Sequence, residues 1–212
     1  MTTTNTAGNP HLTRAYAVTS PEENKALYED WAATYNADVL DASQEYVAPA
    51  LAVQAVVSAG GNTAGTILDA GCGTGFVGIA LSQAGAKTID GLDLSPSMLK
   101  IARELGVYRA LDTADLSKKI EKESHAYDVV TCVGTLTHGH VGPDPALKEF
   151  VRVAKKGGVV VATVLDDIWV SGGYKKEVER LAEREVEVVG TEKVDYRKGA
   201  NVSCRMVVMK KR

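Results

Sequence analysis

Three carboxylates and one glycine-rich bend carry the chemistry that this sequence can do. Asp69, Asp93 and Asp115 stand at or just beyond the ends of successive strand-like runs, and Gly71, Gly73 and Gly75 follow directly on the first of them. Glycines at such a bend allow a tight turn and let backbone N–H groups approach a ligand. Gly73-Thr74-Gly75-Phe76-Val77-Gly78 satisfies the G-x-G-x-x-G pattern of dinucleotide sites, and Asp93 follows at the spacing, about 20 residues, from which an acid can accept both hydroxyls of a ribose. Any one of these acids could be a helix cap or a solvated loop residue. All three together mark the carboxyl edge of a sheet, which is where α/β sheets bind ligands.

The residues favour one nucleotide over another. Asp69 lies so near the bend that it suits the cationic amine of a methionine moiety better than a pyrophosphate. Asp115 can accept from an adenine amino group. A Tyr-x-x-x-Lys pair, needed by a common class of dehydrogenases, occurs nowhere. The balance lies with S-adenosylmethionine over a nicotinamide cofactor. His138 and His140, in the run Thr135–His140, are the candidate general bases, His138 ahead of His140, because imidazole is the side chain suited to proton transfer near neutral pH. The competing reading is a loop whose imidazoles bond backbone carbonyls. Two histidines at i, i+2 without a third ligand do not make a metal site, so no metal is expected.

These groups need a framework. Ser20-Pro21-Glu22-Glu23 reads as a capped helix start, with Ala26, Leu27, Trp31, Ala32 and Tyr35 along one face. A second helix is expected over 46–58, ending at Gly60-Gly61. Strands are expected at 66–70, 88–93, 107–111, 127–133 and 159–165, with helices at 76–84, from Pro96 to about 105, around 116–122, and from Pro145 to about 155. The fourth and fifth strands are apolar throughout, as strands buried on both faces should be. A helix from Tyr174 to about Arg184 precedes two strand-like runs, 186–196 and 202–210. The turn between them is too short for a helical crossover and requires an antiparallel hairpin. Five β-α units and a hairpin predict an α/β domain: a mostly parallel sheet, helices on both faces and a C-terminal antiparallel hairpin. Residues 1–19 read as a flexible tail, 20–212 as one domain, and the helices within 20–60 as its cap.

The chain has 212 residues, a formal charge of −3, 45% apolar and 24% charged residues, ordinary for a soluble globular domain. With a pI near 5.8, a field that would collect nucleic acid or an anionic membrane is missing. Cys72, Cys132 and Cys204 are far apart and odd in number, which favours a reducing compartment, the cytoplasm. Cys132 lies in an apolar strand and should be buried and inert; His11 and His125 should be surface residues. The amino end lacks a signal-peptide core, and no apolar run is long enough to span a membrane.

Ile67-Leu68-Asp69-Ala70-Gly71-Cys72-Gly73-Thr74-Gly75 resembles motif I of the class I S-adenosylmethionine-dependent methyltransferases. The segment Asp90–Leu99 resembles the stretch that follows it, and Ala114-Asp115-Leu116, Tyr127–Val130 and Lys156-Gly157-Gly158 resemble later motifs. Tyr28–Tyr35 and Gly134–Pro143 resemble the Williams-Beuren syndrome critical-region methyltransferase-like group. The resemblance implies a Rossmann-like seven-stranded sheet, with backbone at Gly71, Cys72 and Gly73 along the methionine portion of the cofactor. It implies Asp93 on the ribose, Leu94 and Met98 against the adenine, Asp115 and Leu116 at the adenine edge, and Val133 and Gly134 beside the sulfonium. Tyr28, Trp31 and Tyr35 would close over the cofactor, unless they are plain packing. Lys156 stands where the family often has proline, and the segment after Val170 diverges, which leaves the acceptor open. The Asn/Asp-Pro-Pro-aromatic motif of many nucleobase-methylating enzymes is missing. The expectation is a methyltransferase acting on oxygen or nitrogen of a small molecule, as a monomer or homodimer, without nucleic-acid or membrane partners. Its rivals are a related enzyme that binds S-adenosylmethionine but catalyses isomerisation or cyclisation, and a non-catalytic binding protein.

Overall fold

β1 (Thr66–Ala70) and β4 (Tyr127–Leu136) lie side by side near the middle of one seven-stranded sheet in the computed structural model, which describes residues 5–212. Outward from β1 come β2 (Thr88–Asp93) and then β3 (Ala110–Thr113), all parallel. Outward from β4 comes β5 (Ala154–Leu165), also parallel, then β7 (Val202–Lys211) and β6 (Val186–Arg197) as an antiparallel hairpin with β7 inside. The mostly parallel sheet with its closing hairpin is the one expected from the sequence.

Alternate residues of each strand feed opposite cores, because side chains on a strand point alternately to its two faces. Leu68, Val130 and Cys132 pack with Phe150 of α6 (Ala146–Val153) and Leu181 of α7 (Tyr174–Ala182). Ile67 and Val129 pack on the other face with Val53 of α3 (Ala48–Ser58) and with Val77 and Leu81 of α4 (Phe76–Gln83). Residues 159–165 are all buried, as a strand covered on both faces requires. The connection from β1 leads toward β2 and that from β4 leads toward β5. Their carboxyl ends therefore part and leave a crevice.

A third cluster covers that crevice. α2 (Pro21–Leu40) begins where expected, with Ser20 Oγ accepting from the Glu23 amide at 3.2 Å. The Glu23 carboxylate reaches one residue further back than a regular capping box and accepts from the Thr19 amide and hydroxyl, each at 2.9 Å. Leu27, Trp31 and Val39 of α2 pack with Leu12 and Ala15 of α1 (Pro10–Ala15).

Four expectations need correction. The stretch taken for a flexible tail is ordered structure from residue 5 onward: Asn9 caps α1, Leu12 and Ala15 are buried, and Asn5 Nδ2 donates to Ala200 O at 2.7 Å. Residues 1–4 lie outside the described residues. The third strand starts at Ala110, because α5 (Pro96–Glu104) ends through Gly106 at φ +67° and Tyr108 then turns inward. The helix expected around 116–122 does not form. Asp115 accepts from the Ser117 amide at 3.0 Å and from its hydroxyl, a local turn that competes with helix, and the Ile120 amide donates to Glu149. His11 is half-buried and stacked on Trp31, with ring centroids 5.1 Å apart. Among the described residues, no helix is long and apolar enough to cross a membrane.

Candidate active site

The crevice at the carboxyl ends of β1, β2 and β4 opens into a cleft of about 900 Å³, counting its open mouth. Its floor is the glycine bend. Gly71 and Gly73 adopt φ +74° and +53°, a left-handed backbone that side chains disfavour. A Cβ on Gly71 would lie 2.0 Å from Thr135 Oγ1, so the bend and the end of β4 meet only because no side chain stands there.

Its roof is α2, held down at three points. Glu29 accepts from Ser95 Oγ at 2.8 Å and from the Ser97 amide at 3.2 Å, which fixes the helix to the start of α5. Thr74 Oγ1 donates to Asn36 Oδ1 at 2.6 Å, which fixes it to the glycine bend. Tyr28 Oη lies 3.0 Å from His140 Nε2, which fixes it to the loop after β4.

Asp93 stands in the wall between bend and roof. Its Oδ2 accepts from the Gly73 amide at 2.8 Å and its Oδ1 from the Ser95 amide at 2.9 Å. Burial raises its pKa above the ordinary aspartate value, and those amides oppose the rise. Asp115 sits further along the same edge, paired with Lys118 at 2.9 Å. Leu94, Met98, Leu116, Cys72, Val133 and Gly134 complete the expected lining, with Tyr28 and Tyr35 above.

Two residues expected in the cleft stand elsewhere. Asp69 is fully buried beneath the bend, where it accepts from Tyr108 Oη at 2.7 Å and Thr131 Oγ1 at 3.2 Å. Its burial pushes its pKa up to about 7, despite those two donors. A carboxylate sunk in the sheet cannot face an amine in the cleft. Trp31 is fully buried on the far side of the roof, its indole N–H donating to Asp38 at 2.5 Å.

The two histidines separate. His138 lies outside the cleft, with Nε2 3.0 Å from Asp167 Oδ2 and its ring edge-on to Tyr16. His140 lines the cleft. Its Nδ1 lies 2.6 Å from the carbonyl oxygen of His138, which can only accept, so Nδ1 carries the proton. Burial lowers its pKa, which keeps the ring neutral and leaves Nε2 to accept from Tyr28 Oη. Among the described residues, no three His, Cys, Asp or Glu side chains converge on a metal-sized site.

Sequence reasoning missed Asn24, whose Oδ1 is buried in the cleft wall without a partner, and Tyr46, which lines the cleft beside Gly134. The helical stripe was legible in the sequence. The neighbouring polar positions that bind the roof to the bend, Glu29 and Asn36, carry no motif and show only in three dimensions.

Residues 67–158 match the model of a methyltransferase domain family. The chain is 35% identical over 152 residues to human Methyltransferase-like protein 27, covering 70% of this chain and 60% of that protein. It is 36% identical over 113 residues to the ubiquinone biosynthesis O-methyltransferase of Sodalis glossinidius, covering 50% of this chain and 44% of that one. It thus spans less than two thirds of the length of these curated relatives. A TehB-like S-adenosylmethionine-dependent methyltransferase from Corynebacterium glutamicum superposes with a TM-score of 0.64 at 25% identity, covering 88% of this chain and 99% of that one. The [4+2]-cyclase SpnF superposes with a TM-score of 0.69 at 15% identity, over 92% and 97%, which is a likeness of fold alone. The family match and the Corynebacterium glutamicum neighbour indicate S-adenosylmethionine as the cofactor.

Proposed function

Since this chain carries a methyltransferase domain, we propose that it transfers a methyl group from S-adenosylmethionine to an oxygen or nitrogen of a small molecule, with oxygen favoured. The observation that carries this is one cleft joining the glycine bend and Asp93 to the Tyr28–His140 pair. The match to O-methyltransferases of ubiquinone biosynthesis supports an oxygen acceptor. Three cysteines, all buried and unpaired, support a reducing compartment, the cytoplasm.

The residues fit the cofactor. Asp93 would hold the ribose through its carboxylate, Asp115 and Leu116 would meet the adenine edge, and Leu94 and Met98 would give it apolar walls. The unpartnered Asn24 Oδ1 is a buried acceptor suited to an N–H donor. When bound, the group supplies a methyl already activated on sulfur. What remains for the protein is alignment, exclusion of water and removal of a proton. The pinned helix α2 excludes water. Tyr28 and His140 move the proton: Tyr28 Oη takes one from the acceptor hydroxyl while passing its own to His140 Nε2. The acceptor oxygen is left anionic and the imidazole protonated.

Incubating the protein with radiolabelled S-adenosylmethionine and a fractionated cell extract tests this reading. Label in small molecules, with stoichiometric release of S-adenosylhomocysteine, is the expected result. Label confined to macromolecules defeats the small-molecule assignment. An altered acceptor with no S-adenosylhomocysteine released favours the cyclising or isomerising alternative.

A further inference from the structure

Behind the aromatic wall of the cleft lies a second, smaller chamber of about 380 Å³ counting its openings. The two spaces share Tyr28, Tyr35, Tyr46 and Gly134. Gly134 stands in the shared wall, where its lack of a side chain leaves room for two tyrosine hydroxyls: a Cβ there would lie 2.7 Å from Tyr46 Oη and 3.2 Å from Tyr196 Oη.

The chamber contains a cation whose counter-charge is missing. Arg197, at the end of β6, is 2% exposed and lines it. Its guanidinium donates to Gln44 Oε1, and at 2.8 Å to both Asn5 O and Tyr16 Oη, all neutral acceptors. The rings of Tyr16 and Tyr196 lie 5.5 and 6.0 Å from it. Among the described residues, no carboxylate pairs with it and its Nε–H has no partner. Thr137 Oγ1 lines the same chamber and is buried without a partner as well. Burying a charge and a hydroxyl with unspent hydrogen-bonding capacity is unfavourable, so a chain that keeps both at one spot is short of a ligand there.

The chemistry of that ligand follows from the walls. Two unspent donors match the two oxygens of a carboxylate, whereas a phosphate would ask for more. The aromatic sides favour a small, flat, apolar body. We propose that this chamber is the acceptor subsite and takes a small aromatic carboxylic acid. Its carboxylate sits on Arg197 and Thr137, and its hydroxyl meets Tyr28, which lines both spaces. The proposal rests on the methyl-transfer reading and adds the acceptor's class to it.

Calorimetry on the full chain tests both separately. S-adenosylhomocysteine is titrated first, then 4-hydroxybenzoate, 3,4-dihydroxybenzoate and salicylate, each against its carboxamide, into the loaded protein. At least one acid should bind tenfold or more tightly than its amide. In Arg197→Gln that preference should fall below threefold, with S-adenosylhomocysteine affinity within twofold of the parent. Equal binding of acid and amide, binding of none of the acids, or a preference surviving in Arg197→Gln overturns the proposal and leaves the methyl-transfer reading standing. Failure to bind S-adenosylhomocysteine defeats that reading, and the acceptor assignment with it. Should Arg197→Gln not fold, the acid–amide comparison on the parent protein decides alone.

Discussion

Tyr28 Oη and His140 Nε2 meet at 3.0 Å, one from the roof helix and one from the loop after β4, and the carbonyl of His138 fixes which imidazole nitrogen is free. Closure of the roof and the basicity of the site therefore share one hydrogen bond. Tyr28→Phe and His140→Asn should each lower kcat on the order of a hundredfold, with S-adenosylhomocysteine affinity within about threefold. The parent's kcat should fall as pH drops through the His140 pKa, which lies below the usual histidine value, and His140→Asn should lose that acid limb. A kcat–pH profile identical in parent and variant removes His140 from the reaction.

Asp93 should matter to binding rather than turnover. Replacing it with alanine removes two charge-assisted acceptor sites and frees the Gly73 and Ser95 amides. We expect S-adenosylmethionine to bind about 1–3 kcal/mol more weakly by calorimetry. Unchanged affinity would take the carboxylate out of the cofactor site.

Asp69 makes stability fall as pH rises. Its folded pKa, about 7, lies above the ordinary aspartate value of 3.8, so the folded state binds more protons between the two. Its contribution is complete below the unfolded value and is lost through that window, at up to about 1.4 kcal/mol per pH unit. Melting curves from pH 5 to 8.5 should show the parent losing ground to Asp69→Asn as pH rises. Parallel curves for the two proteins would mean the carboxyl is already ionised throughout.

The amino-terminal segment should be structural. Deleting residues 1–19 uncovers Trp31 and strips Arg197 of its bonds to Asn5 and Tyr16. A loss of roughly 2–5 kcal/mol is expected, or a melting temperature lower by on the order of 5–15 °C. An unchanged melting temperature would restore the view of this stretch as a loose tail.

The sheet was legible in the sequence because its buried strands are apolar runs that end in glycines and acids. The bend at Gly71–Gly73 and the acid at Asp93 were legible for the same reason. Asp69 was misplaced because a strand's last residues alternate faces, and its spacing does not tell which face reaches the cleft. Arg197 drew no attention, since one arginine at the end of a strand looks like any surface charge until Gln44, Asn5 and Tyr16 close around it. His138 and His140 are two residues apart and indistinguishable by type; the His138 carbonyl and Tyr28 separate them.

Asn5 bonds to Ala200 across 195 residues. The cleft is lined by residues no later than Val141, whereas the chamber behind it also needs Tyr196 and Arg197. On the ribosome, then, every wall of the cleft has been synthesised while the chamber still lacks its floor. Contacts of such long range are slow to find during folding, so closure of the chamber should lag behind formation of the parallel strands.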